Sequence, residues 1–144
     1  MSISYNLDNS LTTDEFIEDL ISTNKLRPHY KLAVWQKSIT MIKGIYSLTN
    51  SFPKEERFGL TSQIRRASNS VALNVAEGAG RRGIKDKLRF MNIADASLSE
   101  VEACLIIALQ LEFNDRTTFL SQLENCLAVG APLHGLMRKL DSQI

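Results

Sequence analysis

Cysteine, histidine and proline are all scarce in this chain of 144 residues, and each shortage removes a class of protein. The two cysteines, Cys104 and Cys126, lack C-x-x-C spacing, so they read as buried free thiols of a reducing compartment rather than a redox pair or zinc site. With only His29 and His134, there is no Glu-x-x-His pair of a di-iron bundle, no zinc ligand set and no Arg-x(4–6)-His of a helical ribonuclease. The paired acids Glu55 and Glu56 lack the further helix-spaced acids of a magnesium-dependent hydrolase. The sequence therefore predicts no catalytic residue, no metal and no cofactor. Hydrophobic runs are short: "ACLIIALQL" falls well below the roughly 20 residues that cross a bilayer. The start, "MSISYNLDNS", has neither a basic n-region nor an apolar h-region, so no signal peptide and a cytoplasmic location are expected.

A net excess of charge is missing too. The formal net charge is +1, which supplies no global field toward nucleic acid or membrane. It is unevenly spread: residues 1–30 carry Asp8, Asp14, Glu15, Glu18 and Asp19 against Lys25 and Arg27, a net of 2 − 5 = −3.

What is present is helical periodicity, with only Pro28, Pro53 and Pro132 to interrupt it. "LTTDEFIEDLIST" opens with a capping box, Thr12 with Glu15, and a hydrophobic staple, Leu11 with Phe16, predicting a short helix over 12–23. From Tyr30 to about Leu48 the stripe Leu32, Trp35, Ile39, Ile42 and Tyr46 predicts a second helix. Pro53 suits the first position of a single helical turn. Residues 60–77 carry Leu60, Ile64, Ala67, Val71 and Val75 along one face. Residues 84–111 place Met91, Ala94, Leu98, Val101, Leu105 and Ala108 at heptad spacing. Asn114 or Asp115 can cap a last helix to Leu140, with Phe119, Leu123, Leu127, Leu133, Leu136 and Leu140 inward. Pro132 should kink or split that helix after Gly130. The expected fold is an all-α, antiparallel up-down four-helix bundle over residues 30–144, preceded by an acidic extension over 1–29 with a short helix. "CLIIALQL" is apolar on more sides than one core requires, which predicts a subunit interface, with deeper burial within one chain as the alternative.

"VALNVAEGAGRRGIKDK", residues 71–87, spaces Gly78, Gly80 and Gly83 as G-x-G-x-x-G. A dinucleotide fingerprint needs a strand before the glycines and a second strand soon after. Here a helical stripe enters the motif, and the helix that follows is far too long for a crossover. The glycines therefore read as a joint: Gly78 or Gly80 in a left-handed position ending one helix, and Gly83 letting the chain reverse. Around them Arg65, Arg66, Arg81, Arg82, Lys85, Lys87 and Arg89 stand against Glu77 and Asp86, a net of 7 − 2 = +5 in residues 65–89. Such a cluster reads either as a solvated rim or as a nucleic-acid-binding patch at one end of a helical hairpin, with no aromatic interleaved as a stacking platform.

"LAVWQKSI", "SFPKEERFGLTSQIRRAS", "NVAEGAGR" and "RFMNIADASLSEVEACL" together resemble the four-helix bundle family of the 23S rRNA intervening-sequence proteins over residues 30–140. More distantly, the chain is similar to the accessory variability determinant of diversity-generating retroelements. The resemblance implies a non-enzymatic bundle that assembles as a pentamer, and its retroelement member binds a reverse transcriptase and nucleic acid. The sequence departs from the family at Ala72 and Leu73, where a proline and a small polar residue are common, so a straighter, more apolar helix is expected there. Arg66, Asn74, Glu77, Ser97 and Glu100 match the family pattern. They are expected to form a polar network, Arg66 satisfying Glu77 or Glu100 and Asn74 bridging helices, which fixes register. The resulting expectation is an oligomeric scaffold that touches RNA, DNA or a reverse transcriptase through its basic hairpin end. The alternative is a purely protein-directed adaptor that docks through its acidic N-terminal helix.

Overall fold

The computed structural model describes residues 11–23 and 25–144, so Asp8 of the acidic extension lies outside the described residues. The described residues form α1 (Thr13–Ser22), α2 (Ala33–Thr49), α3 (Leu60–Ala79), α4 (Ile84–Gln110) and α5 (Arg116–Asp141), with short 3-10 turns over Pro28–Lys31 and Lys54–Phe58. No strand occurs among them, and the segment leading into Gly78 is helix.

Local signals explain where the helices start. In α1 the Thr12 N–H donates to Glu15 Oε2 at 2.8 Å and Glu15 N–H donates to Thr12 Oγ1 at 3.4 Å, closing the capping box. α2 begins three residues later than Tyr30, because Leu32 is extended (φ −72°, ψ 129°) and stands as its N-cap. Pro53 precedes the 3-10 turn rather than opening it. The turn then serves α3: Glu56 Oε2 accepts from Leu60 N–H at 2.8 Å, taking up a donor that the first helical turn leaves free. Asp115, not Asn114, caps α5, its Oδ1 accepting from Thr118 N–H at 2.7 Å.

The four long helices pack in a closed ring: α2 on α3, α3 on α4, α4 on α5 and α5 on α2. The heptad residues of α4, Met91, Ala94, Leu98, Val101, Leu105 and Ala108, are all buried, as are Ile64, Ala67, Val71 and Val75 of α3. A fully buried Leu, Ile, Val or Met contributes about 1.5–3 kcal/mol over its exposed state, so these rows hold the ring together. α2 turns a different face inward from the one its Leu, Ile and aromatic residues suggest, whereas α5 keeps Leu133 and Leu140 in the core, with Phe119 and Leu136 packed against it, and departs at Leu123 and Leu127. α2 buries Val34, Ser38, Met41, Ile45 and Leu48, a row one residue back from the predicted stripe and hence rotated by about 100°. Trp35 and Ile39 instead line a groove with Ile17 and Ile21 of α1. α5 buries Gln122, Cys126, Val129, Gly130, Leu133 and Leu140, leaving Leu127 60% exposed. Gly44 of α2 lies so close to Gln122 of α5 that a Cβ there would collide with the amide.

Pro132 neither splits nor ends α5, which continues to Asp141. A proline removes one N–H and leaves the carbonyl of Ala128 without its helical donor. Ala128 is exposed, so water can reach that side of the helix. The glycine joint also differs from expectation, since no glycine among the described residues has positive φ. Gly80 ends α3 in the right-handed region (φ −80°, ψ −9°), its N–H shared between the carbonyls of Ala76 and Glu77. Gly78 lies inside α3 and is buried for a different reason. A Cβ there would stand 2.7 Å from Met91 Cε and 2.9 Å from Phe90 Cβ, so its missing side chain is what lets α3 and α4 approach.

Candidate nucleic-acid interface

The seven basic residues predicted as one patch fall into two groups. Arg66 and Arg81 are 15 residues apart, which along a helix is about 22 Å. One group surrounds the α3–α4 turn. Here Arg81 pairs with Glu77 and lies 3.8 Å from Asp86, while Arg89 pairs with Asp86 at 3.2 Å. Both guanidinium groups stand over the Phe90 ring, at 4.8 and 4.6 Å from its centroid. An aromatic is therefore interleaved with the tip charges, contrary to the expectation from sequence. Arg82 and Lys85 are exposed and make no ion pair, and Lys87 is half-buried and lines a pocket. Five cations against two acids leave the tip at +3.

The second group lies along α3 in an open groove of about 650 Å³ that includes Tyr46, Arg57, Phe58, Arg65, Arg66 and Leu73. Arg65 is anchored: its Nε donates to Thr49 Oγ1 at 2.8 Å, an Nη donates to Asn50 Oδ1 at 3.3 Å, and the group stacks 4.6 Å from the Tyr46 ring centroid. Asn69 Nδ2 donates to the Tyr46 hydroxyl at 2.9 Å, holding that ring from the other side. Arg57 stands 5.6 Å from the Phe58 ring centroid, and Phe58 is 91% exposed. A phenyl ring left this open at the rim of a cationic groove has no packing role. Arg57, Phe58, Asn69 and Phe90 were not singled out from the sequence, and Tyr46, expected in the inward stripe of α2, is exposed and lines the groove instead. The available signal was the pair of Arg-Phe dipeptides, 57–58 and 89–90, each of which places a ring beside a guanidinium.

The polar network takes another wiring. Arg66 is exposed and bonds to neither Glu77 nor Glu100. Glu77 pairs with Arg81, and Glu100 accepts from Gln63 across the α3–α4 interface. Asn74 reaches α4 through an intermediate: its Nδ2 donates to Ser70 O at 2.8 Å and to Ser70 Oγ at 3.0 Å, and Ser70 Oγ shares a proton with Ser97 Oγ at 2.8 Å. Register between α3 and α4 is thus held by Gln63–Glu100 and Ser70–Ser97.

A model of the 23S rRNA-intervening sequence proteins matches residues 30–135. The chain belongs to that family. Among solved structures it is similar to a crystallised protein of unknown function from the S23 ribosomal protein family of Bacteroides thetaiotaomicron. Identity is 22% and the TM-score 0.65, with 72% of this chain and 97% of that one covered. A likeness of this degree concerns the fold. No functionally curated protein matches the sequence.

In this intervening-sequence protein the groups available for acid–base or nucleophilic chemistry are few and dispersed. His134 is not isolated: its Nε2 lies 2.7 Å from Asp95 Oδ1, joining α5 to α4 at the surface. His29 packs against the rings of Tyr30 and Trp35, and burial, aided by the charge of Arg27, pushes its pKa below the usual imidazole value. Cys104 and Cys126 are free and buried, and burial pushes the Cys126 thiol up to about 12. Among the described residues no three His, Cys, Asp or Glu side chains gather as a metal site, and no helix is long and apolar enough to cross a membrane.

Proposed function

We propose that this chain is a non-enzymatic, oligomeric scaffold of the cytoplasm that binds single-stranded nucleic acid along the α3 groove and at the α3–α4 tip. The observation that carries the reading is Phe58, exposed beside Arg57, Arg65 and Arg66 and facing the same groove as Tyr46. Open rings give bases a sequence-tolerant stacking surface and guanidinium groups track the phosphates, each stacked base being worth about 1–3 kcal/mol. The short links at 80–83 and 111–115 favour up-and-down, antiparallel neighbours for α3, α4 and α5. Ile106, Ile107 and Leu111 on α4, with Leu120 and Leu127 on α5, are exposed and supply apolar surface for the pentamer that the family resemblance implies. A reverse transcriptase is the protein partner suggested by the resemblance to retroelement accessory proteins.

Fluorescence anisotropy with labelled single-stranded RNA and DNA tests the reading. Binding should weaken steeply with salt, fall roughly tenfold in Phe58→Ala and fall again in Arg81→Ala with Arg82→Ala, while light scattering shows unchanged assembly. Absence of binding to long RNA at low ionic strength would remove the nucleic-acid reading, and a monomer at micromolar concentration would remove the oligomer.

The adaptor reading is favoured by a separate observation. α1 carries Asp14, Glu15, Glu18 and Asp19 with no basic residue in its last turn, and none of its residues is buried. Deleting residues 1–28 should abolish capture of a basic protein partner if α1 is the docking element. Unchanged capture would exclude it.

A further inference from the structure

At the end of the ring beneath the α3–α4 turn lies a pocket of about 200 Å³, built from four separate elements. Leu32 comes from the extended residue before α2, Gly78 and Ala79 from the last turn of α3, Lys87 and Met91 from α4, and Leu136 and Leu140 from α5. On the α3 side the wall is formed by the small residues Gly78 and Ala79. An apolar cavity of about 150 Å³ in another protein is enough to take up benzene, so this one has room for a compact hydrocarbon body. Its polar groups are just two. His29 sits at the rim, and burial lowers its pKa, so near neutrality it is an uncharged hydrogen-bonding group. Lys87 is the charged one. Arg81 and Arg89 of the same turn are tied to Glu77 and Asp86, whereas Lys87 has no ion-pair partner, and no carboxylate lines the pocket. An apolar wall with one cationic residue in its lining is the make-up of a small-molecule site.

We infer that this pocket binds a small amphipathic monocarboxylate, its hydrocarbon body against Leu32, Met91, Leu136 and Leu140 and its carboxylate at the Lys87 ammonium. The site is separate from the α3 groove but borrows Lys87 from the tip, so the binding measurements are made without nucleic acid. Octanoate is the probe, octanol the neutral control with the same body, and acetate the anion without one. Calorimetry on the full chain should show saturable octanoate binding in the millimolar range or tighter, octanol at least tenfold weaker, and no acetate binding. Lys87→Met should bring octanoate down to the level of octanol. Ala79→Leu, which fills the pocket, should abolish both. Amide chemical-shift changes in the unaltered protein should centre on residues 29–32, 78–79, 87–91 and 136–140. No saturation by octanoate, equal binding of octanoate and octanol, or shift changes centred elsewhere would each overturn the assignment, whether or not Ala79→Leu folds.

Discussion

Gly78 and Cys126 are positions where a few atoms set the outcome. An alanine at 78 gains about 0.5–1 kcal/mol of helix propensity, but its Cβ meets Phe90 Cβ, which is fixed to the backbone of α4 and cannot swing away. Overpacking of that kind costs about 1–3 kcal/mol, so Gly78→Ala should destabilise by about 1 kcal/mol in chemical denaturation. Gly83→Ala, with open space around it, should change little. Cys126 keeps its proton in the folded state up to about pH 12, against an ordinary value of 9.0. The sign follows: burial of the neutral thiol contributes stability below pH 9, and that contribution is lost as pH rises toward 12 because the unfolded chain ionises first. At pH 8, iodoacetamide should label Cys126 only on unfolding, as mass spectrometry can show. What the sequence disclosed at this scale was chemical type: two thiols too apart to pair by motif and too apolar in context to be exposed. It did not disclose close approach, because the need for Gly78 arises from Phe90 and Met91 on another helix.

Helix ends were legible because caps are local. Thr12–Glu15 and Asp115 each bond within three residues of themselves, so the pattern that predicts them is also the structure that forms. Helix faces were legible only where one stripe is apolar. α4 buries its heptad row residue for residue, whereas α2 is apolar on two adjacent faces, and the choice of Ser38, Met41 and Ile45 over Trp35, Ile39 and Ile42 is made by what α3 and α5 can accommodate. Pro132 shows the converse limit, a strong local signal overridden by packing on both sides of it. Its persistence inside α5 predicts a gain on removal. Pro132→Ala restores an N–H donor and helix propensity worth about 3 kcal/mol, offset by a looser unfolded chain and the loss of a half-buried ring. The net should be a stabilisation of about 1–2 kcal/mol, seen as a higher denaturation midpoint at unchanged slope.

For the molecule as a whole, the sequence revealed the fold class and the family but merged two basic clusters into one. Nearby arginines in a written chain look contiguous; once α3 is wound, Arg66 and Arg81, just past its end, are about four turns apart. The candidate site was therefore half legible. Arg65 and Arg66 were recognised, but Arg57, Tyr46 and Phe58 lie on other elements and only the fold brings them to those arginines. The separation has a metric consequence. At about 3.4 Å per nucleotide, a strand must reach roughly seven nucleotides to bridge the two footholds. Affinity measured against oligomer length should therefore jump once near that size, as a one-footed encounter becomes a two-footed one, and removing either foothold should flatten the jump. A chain built this way would act as a ruler, indifferent to what is written on a strand and attentive to how long it is.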